Sequence, residues 1–430
     1  MSGGRKTKMA LEKFQRWGIG MGKMQATPEL AGETAQWARV QEQLPRWREL
    51  PMYQAAPGND IQRFPLIGKR ELRENFPNNF LRAGQDLAAM LADKSVELEH
   101  TSGSSEERTA VLFGRGWWSE QEARILRLNR LVAGVLDQHP RARRATIVPP
   151  VCNGLVCFSN YTSKAARTVE TTLFINQARI PFLLTEGELA RMAQEVLEWA
   201  PVFLDLDPVH GVWFARYCER QGIKFPSVKF LLCSYEFMSV VHRKILQRVF
   251  AVPVFNLYGS TETGHLLMEN ERGEMKASLD TVFYEIIEPN EQGVGDLVVT
   301  TLTNEVMPLV RYRVGDLVEH CGPPAATIFL VHGRSRDSLR RADGQRVTTL
   351  EIDRCFAEVD GLAHYQLRQA ENGDCDMQFI PDREIPAPEK LRVATAQIEG
   401  LLRLKKQVAV TAVEKLPPLT SGKFRLTCRA

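Results

Sequence analysis

The sequence predicts an α/β protein. It has a large N-terminal domain of mostly parallel sheets covered by helices, a small antiparallel or barrel-like part, and a small α+β domain at the C-terminal end. Three observations carry this reading. Between residues 145 and 258, β-branched and aromatic runs alternate with amphipathic stretches, the pattern of a parallel sheet covered on both faces. After Gly264 the strands shorten, and turn residues such as Pro289-Asn290 and Gly293 to Gly295 separate them, which suits an antiparallel sheet or barrel. From Ser338 to Ala430 strands and helices alternate again, in a block large enough to fold by itself.

Composition narrows the class. At 430 residues, 44% hydrophobic and 25% charged, the chain can bury large cores and reads as a globular enzyme. Its 55 basic and 52 acidic residues are too balanced for a nucleic-acid binder. The eight cysteines form no C-x-x-C pair, and the closest two, Cys152 and Cys157, match no common zinc spacing, so reduced structural thiols are expected. No apolar run follows Arg5, Lys6 and Lys8, so no signal peptide is expected. The uncharged stretch Ala145 to Ser163 approaches spanning length, but Pro149, Pro150, Asn153 and Gly154 break it. It reads as a strand, a Pro-Gly turn and a second short element. A cytoplasmic protein with no membrane partner is expected.

Taken in order, residues 1 to 60 look helical and surface-draped, with Trp17, Trp37 and Trp47 among many charges. A helix starts after Gly68, and Lys69, Arg70, Glu71, Arg73 and Glu74 mark its wet face. His100 to Thr109, HTSGSSEERT, is a hydroxyl-rich loop. Thr101, Ser102, Gly103, Ser104 and Ser105 can offer N–H groups and hydroxyls to phosphate oxygens; a Ser-rich surface loop is the plainer alternative. It is no Walker loop, whose pattern occurs nowhere in the chain. Glu120 to Gln138 reads as one helical pattern, with Ile125, Leu128, Leu131, Val132 and Val135 along its apolar face. Strands are expected at Ala145–Val151, Thr172–Ile175, Val202–Leu206 and Val228–Cys233, and helices at Glu186–Trp199 and Met238–Phe250.

The stretch around which these are organised is Phe255 to Gly264, FNLYGSTETG. Val252 to Tyr258 reads as a buried strand that Gly259 breaks, with Ser260, Thr261 and Glu262 in the turn. Loops at strand ends are where α/β proteins hold ligands. Tyr258 offers an aromatic face, Thr261 a hydroxyl and Glu262 a hard oxygen ligand for Mg²⁺, though an ordinary strand-to-turn junction has the same look. Short strands follow at Glu285–Ile287, Asp296–Leu302, Leu309–Arg313 and Thr327–Gly333, and a Pro/Gly-punctuated loop near the end presents Lys423.

Five motifs therefore stand in a fixed order: TSGSS (101–105), YGSTE (258–262), YRVGD (312–316), GRSRD (333–337) and PLTSGK (418–423). Together they resemble the adenylate-forming superfamily of acyl-CoA synthetases, luciferases and peptide-synthetase adenylation domains. The Leu50-Pro51-Met52-Tyr53 segment and FPLIGKRELRENF look like its phenylacetate–CoA ligase branch, and the resemblance covers nearly the whole chain.

The resemblance implies a ligase that uses Mg·ATP to make an acyl-adenylate from a small, aromatic or otherwise hydrophobic carboxylic acid. The acyl group then passes to a thiol, coenzyme A or, in a rival reading, a carrier protein or protein cysteine. A non-catalytic relative acting as a binding or scaffold protein is the other rival. By resemblance Thr261 binds the α-phosphate and Glu262 the Mg²⁺. Gly259 and Ser260 belong to the same nucleotide loop, Asp316 accepts from the ribose hydroxyls and Arg334 adds a cation. Ser234, Tyr235 and Glu236 flank the adenine with Tyr258, and Lys423 reaches the carboxylate and α-phosphate. A core of residues 1–334 and a mobile domain of 338–430 are implied, pivoting at Arg336, where most relatives carry aspartate and some lysine. Two departures stand out. Glu106-Glu107 replaces the glycine usual after the hydroxyl run, and Met268 and Met275 fall where some relatives have metal-binding Cys and His, so no structural metal is expected.

Overall fold

The computed structural model describes residues 33–56, 58, 60–101, 108–149, 163–178, 180–322, 327–419 and 422–429. The chain folds as two compact units. One holds the described residues of Val135–Asn256 and His332–Ala430, the other those of Ile19–Gly134 and Leu257–Val331. The chain passes from the first to the second inside one strand, Val254–Ser260.

The first unit contains the expected parallel sheet. Phe230–Cys233, Phe203–Leu206, Arg144–Ile147 and Thr172–Phe174 run parallel in that order, with residues 254–256 beside Phe230–Cys233 and the short Thr168–Val169 antiparallel at the far edge. The first four strands are buried along their whole length, as expected of a parallel sheet covered by helices, and the buried Arg144 and Asp205 in them lie 3.6 Å apart. Helix Glu186–Trp199 starts at a capping box, in which Glu188 N–H donates to the Thr185 hydroxyl (3.2 Å) and Thr185 N–H to the Glu188 carboxylate (3.0 Å). It buries Leu189, Met192, Ala193 and Val196, one helical stripe, and ends where Ala200 turns left-handed. Helix Val240–Phe250 is capped by Ser239 and buries Val241, His242, Ile245, Leu246 and Val249.

The C-terminal residues of this unit form a small α+β domain. Leu362–Gln369 pairs antiparallel with Cys375–Pro381 and parallel with Thr427–Arg429, and Ala409–Ala412 adds an edge. Helices Thr349–Arg354 and Pro388–Leu402 supply Ile352 and Ile398 to a core shared with Phe356, Tyr365, Phe379 and Val241 of the Val240–Phe250 helix. Asp353 crosses to that helix: Ser239 Oγ and Val240 N–H (2.8 Å) both donate to it.

The second unit is antiparallel. Val282–Ile287, Gly295–Thr301 and Tyr312–Cys321 follow one another, and Met275–Ala277 lies between Ile328–Arg334 and Gly264–Glu269. The N-terminal region is more deeply built in than expected. Trp47, Leu50 and Tyr53 are buried with Phe64, Phe80 and Phe113, and the Tyr53 hydroxyl donates to Pro308 C=O (3.0 Å) and accepts from Val310 N–H (3.1 Å). The single helical pattern expected over 120–138 is two helices, Trp117–Leu126 and Arg130–Gln138. Asn129 makes the break. Its Oδ1 accepts from Val132 N–H (2.9 Å), an N-cap, while its Nδ2 donates to Glu269 C=O (2.8 Å). Leu131 is consequently exposed. The described cysteines are free thiols, and no described helix is long and apolar enough to cross a membrane.

Candidate active site

In the second unit the YGSTE stretch is a hairpin rather than a strand that stops at Gly259. The strand continues through Ser260, turns over 261–263 and returns as Gly264–Glu269. Gly259 is required by close approach: a Cβ there would press into the Gly264 carbonyl and lie 2.8 Å from the His265 Cα. Ser260 Oγ ties the turn by accepting from Thr263 N–H (3.3 Å) and sharing a hydrogen bond with Thr263 Oγ1 (2.9 Å). Thr261 is left half-buried in the turn, and Glu262 is buried.

Glu262 has two partners that sequence reasoning missed. Lys69 Nζ lies 3.0 Å from its Oε1, and the buried Tyr312 hydroxyl donates to the same oxygen at 3.2 Å. Burial is the largest influence and would raise the Glu262 pKa, but the Lys69 ammonium together with hydrogen bonds from its own backbone and Ser260 holds the carboxyl below its ordinary range. Lys69, assigned to a wet helix face, is thus an ion-pair partner of a buried acid. Its signal was present in one respect: it begins the Lys69–Arg73 helix directly after Gly68.

Asp316 lies within the strand Tyr312–Cys321, not at the end of one. Asp296 pairs with Leu317 and Val298 with Arg313, so residues 314–316 face Leu297 alone. This bulge, with Gly315 at φ 91°, re-aims the chain locally. Asp316 is buried and accepts from the Tyr258 hydroxyl at 2.6 Å, which joins two of the five motifs. Thr101 closes another hairpin, between Val96–His100 and Ala110–Gly114. Its N–H donates to Thr109 C=O and its hydroxyl accepts from Thr109 N–H, both at 3.0 Å. Ser102, Gly103, Ser104, Ser105, Glu106 and Glu107, which connect these strands, lie outside the described residues.

In the first unit Ser234, Tyr235 and Glu236 form a turn directly after strand Phe230–Cys233. Lys423 comes to this turn from the C-terminal domain, its Nζ donating to the Tyr235 carbonyl at 2.7 Å. The next residue, Phe424, donates its N–H to Glu236 Oε1 at 2.9 Å. Burial and then the Asp207 charge push the Glu236 carboxyl well above its ordinary range, against the pull of Lys423. Arg334 ends the strand Ile328–Arg334. Arg336 lies in the following 3₁₀ turn, Ser335–Asp337, with its side chain more than half exposed and 3.9 Å from Asp337. Asp337 itself is buried and paired with Arg425 at 3.2 Å.

No protein-family model matches the chain. By sequence it is 24% identical over 353 residues to a phenylacetate–coenzyme A ligase of Pseudomonas putida, covering 74% of this chain and 71% of the relative. It is 23% identical over 354 residues to the Escherichia coli K12 phenylacetate–coenzyme A ligase, with coverage of 74% and 71%. Among solved structures, a 2-hydroxyisobutyryl-CoA ligase in the postadenylation state, in complex with R3-HIB-AMP, aligns over 96% of both chains with TM-score 0.68 at 15% identity. The chain has the adenylate-forming ligase fold. Its sequence resembles the phenylacetate–CoA ligase branch. That fold accounts for the parallel sheet, the antiparallel strands that follow it and the small α+β domain carrying Lys423.

Proposed function

We propose that this protein is an ATP-dependent ligase that converts a carboxylic acid into an acyl-adenylate and passes the acyl group to coenzyme A. The observation that carries the reading is the meeting of Lys423 with the Ser234–Glu236 turn, 188 residues away in sequence. The acid is aromatic or otherwise hydrophobic, as the relatives' names suggest. Coenzyme A is preferred to a carrier protein because the relatives and the solved neighbour are named as CoA ligases. A cytoplasmic location belongs to the same reading.

In this reading the carboxylate attacks the α-phosphorus of ATP and pyrophosphate leaves. A thiol then attacks the acyl carbon and AMP leaves. Neither step asks the protein for a covalent intermediate, so its work is positioning and charge neutralisation. Thr261 and the loop of Thr101, Ser102, Gly103, Ser104 and Ser105 hold phosphate oxygens, with Gly259 and Ser260 shaping the hairpin. Asp316, which accepts from Tyr258, is an acceptor-only group suited to ribose hydroxyls. Tyr258 and residues Ser234 to Glu236 bound the base, Arg334 adds a planar cation, and Lys423 neutralises the carboxylate and α-phosphate. The division into 1–334 and 338–430, with Arg336 as pivot, lets Lys423 serve one half-reaction and withdraw for the other.

The residues fit Mg²⁺ in one way. Among the described residues no group of three metal-ligating side chains forms a cage. Glu262, buried and held ionised by Lys69, is the single carboxylate that a magnesium shared with substrate phosphates needs. When bound, the ion would neutralise phosphate charge.

Carboxylate-dependent ATP–pyrophosphate exchange across a panel of aromatic and aliphatic acids tests the proposal. Exchange that appears only with an acid, and with aromatic acids before short aliphatic ones, is expected. Nucleotide binding without exchange for any acid would overturn it in favour of a binding protein.

A further inference from the structure

The Ser234–Glu236 turn makes contacts that bounding a base does not require. Tyr235 has φ 75°, a left-handed conformation unfavourable for a bulky L residue and held only where the surroundings enforce it. Glu236 N–H donates back to Ser234 C=O at 2.9 Å, closing the turn over a single residue. The Tyr235 carbonyl, inside that turn, accepts from Lys423 Nζ, and the Glu236 carboxylate accepts from Phe424 N–H. Two adjacent residues of the turn therefore grip two adjacent residues of the lysine loop.

The loop is itself shaped to be gripped. Leu419 N–H donates to Lys423 C=O at 2.7 Å and Gly422 N–H to Leu419 C=O at 2.8 Å, bonds that tie Leu419 to the residues leading into the 423–424 peptide. The Phe424 ring is buried against Phe182, with centroids 4.8 Å apart, and meets the edge of His364 at 5.5 Å. The Phe424 N–H is thus a rigid handle. Holding it fixes the backbone from which the Lys423 side chain springs.

We propose that Glu236 is a positioning residue for Lys423: through the Phe424 N–H it seats the lysine loop on the Ser234–Glu236 turn and sets how far Nζ reaches. This rests on the ligase reading, in which Lys423 acts on the reacting groups. In this role Glu236 acts through the Phe424 backbone rather than on the reacting atoms. Two more buried carboxylates stand in the region: Asp205 accepts from the Ser234 hydroxyl at 3.4 Å, and the charge of Asp207 disfavours that of Glu236. The docked lysine and the Phe424 N–H pull the other way without overcoming burial and that charge, and a carboxyl oxygen of Glu236 accepts from the Phe424 N–H in either protonation state.

The test uses the full chain with Glu236→Ala and Glu236→Gln. Three quantities are read: exchange kcat and the KM for ATP, thioester formation from supplied acyl-adenylate, and hydrogen–deuterium exchange at the Phe424 amide. Misplacement of a reacting group by about 1 Å costs up to about a hundredfold. Glu236→Ala should lower exchange kcat by about ten- to a hundredfold while the KM for ATP stays within about threefold. Thioester formation should persist, and the Phe424 amide should exchange at least about tenfold faster. Glu236→Gln keeps an oxygen acceptor and should recover most of the amide protection and much of the kcat.

A raised KM at unchanged kcat would overturn the proposal by making Glu236 only a wall of the nucleotide site. Equal losses in both half-reactions would overturn it as mere fold support, and unchanged Phe424 protection in Glu236→Ala would show that there is no seat. Absence of exchange in the parent protein with every acid would defeat the ligase reading alone, because amide protection still decides whether Glu236 holds the loop.

Discussion

Glu262 shows how much one side chain's surroundings decide. An isolated carboxylate at its depth would favour its neutral form, yet Lys69, with the turn's own hydrogen bonds, keeps it charged, and the Tyr312 hydroxyl helps to orient it. If it is the magnesium ligand, Glu262→Gln keeps the shape and removes the charge. Activity should fall and be partly restored by raised magnesium, and a magnesium dependence identical to the parent's would exclude Glu262 as the ligand. The same change leaves the Lys69 ammonium without its carboxylate partner at that site. The bulge at Gly315 is the other residue-scale device. It allows Asp316 to leave the regular pleat and meet Tyr258.

At the scale of elements, the helices most legible in the sequence are those whose ends carry their own chemistry. Glu186–Trp199 has the boundaries expected of it because Thr185 and Glu188 form a reciprocal cap and its apolar residues recur at helical spacing. Thr185→Ala should therefore cost about 1 kcal/mol, seen as a lower urea midpoint at unchanged slope, and Thr185→Ser should restore it. An unshifted midpoint in the alanine variant would mean that the cap is idle. Where the chemistry of an end is tertiary, the pattern misleads. Asn129 splits the 120–138 stretch because its side chain is held by Glu269, 140 residues further along.

At the scale of the whole molecule, the C-terminal domain engages the Val240–Phe250 helix along its length. Asp353 meets its start, Asp360 pairs with Lys244 at 3.1 Å, and Asp382 with Arg248 at 2.6 Å. Between them His242 Nε2 and His364 Nδ1 lie 2.9 Å apart, both rings buried. One ring donates and the other accepts, so the accepting ring must be neutral and the contact cannot survive protonation of both. Burial pushes the His242 pKa from 6.5 down to about 4 and that of His364 well below 6.5. Bases with depressed folded pKa values take up protons on unfolding, so their contribution is full above about pH 6.5 and is lost as pH falls toward about 4.

Asp353, pushed up by burial to about 6, acts in the opposite sense, because its neutral form suits the folded state. The thermal midpoint of the parent should fall over that window more than the midpoint of a His242→Leu/His364→Leu variant. Parallel pH profiles would show that the pair does not govern acid stability.

The alternation of strands and helices, the change of texture after Gly264 and the separate C-terminal block were all legible in the sequence. Each rests on local periodicity and turn chemistry, which neighbours along the chain suffice to set. The five motifs were likewise readable as residue types in order. Which groups meet was not. Lys69 with Glu262, Tyr258 with Asp316, Lys423 with Tyr235 and His242 with His364 are each separated by 58 to 193 residues or more finely hidden by a bulge. Their partnership depends on sheet register, a left-handed turn and the docking of one core on another, and no local pattern encodes those. Tertiary structure alone decided that a helix-face lysine would neutralise a buried acid and that a turn glutamate would hold a distant loop.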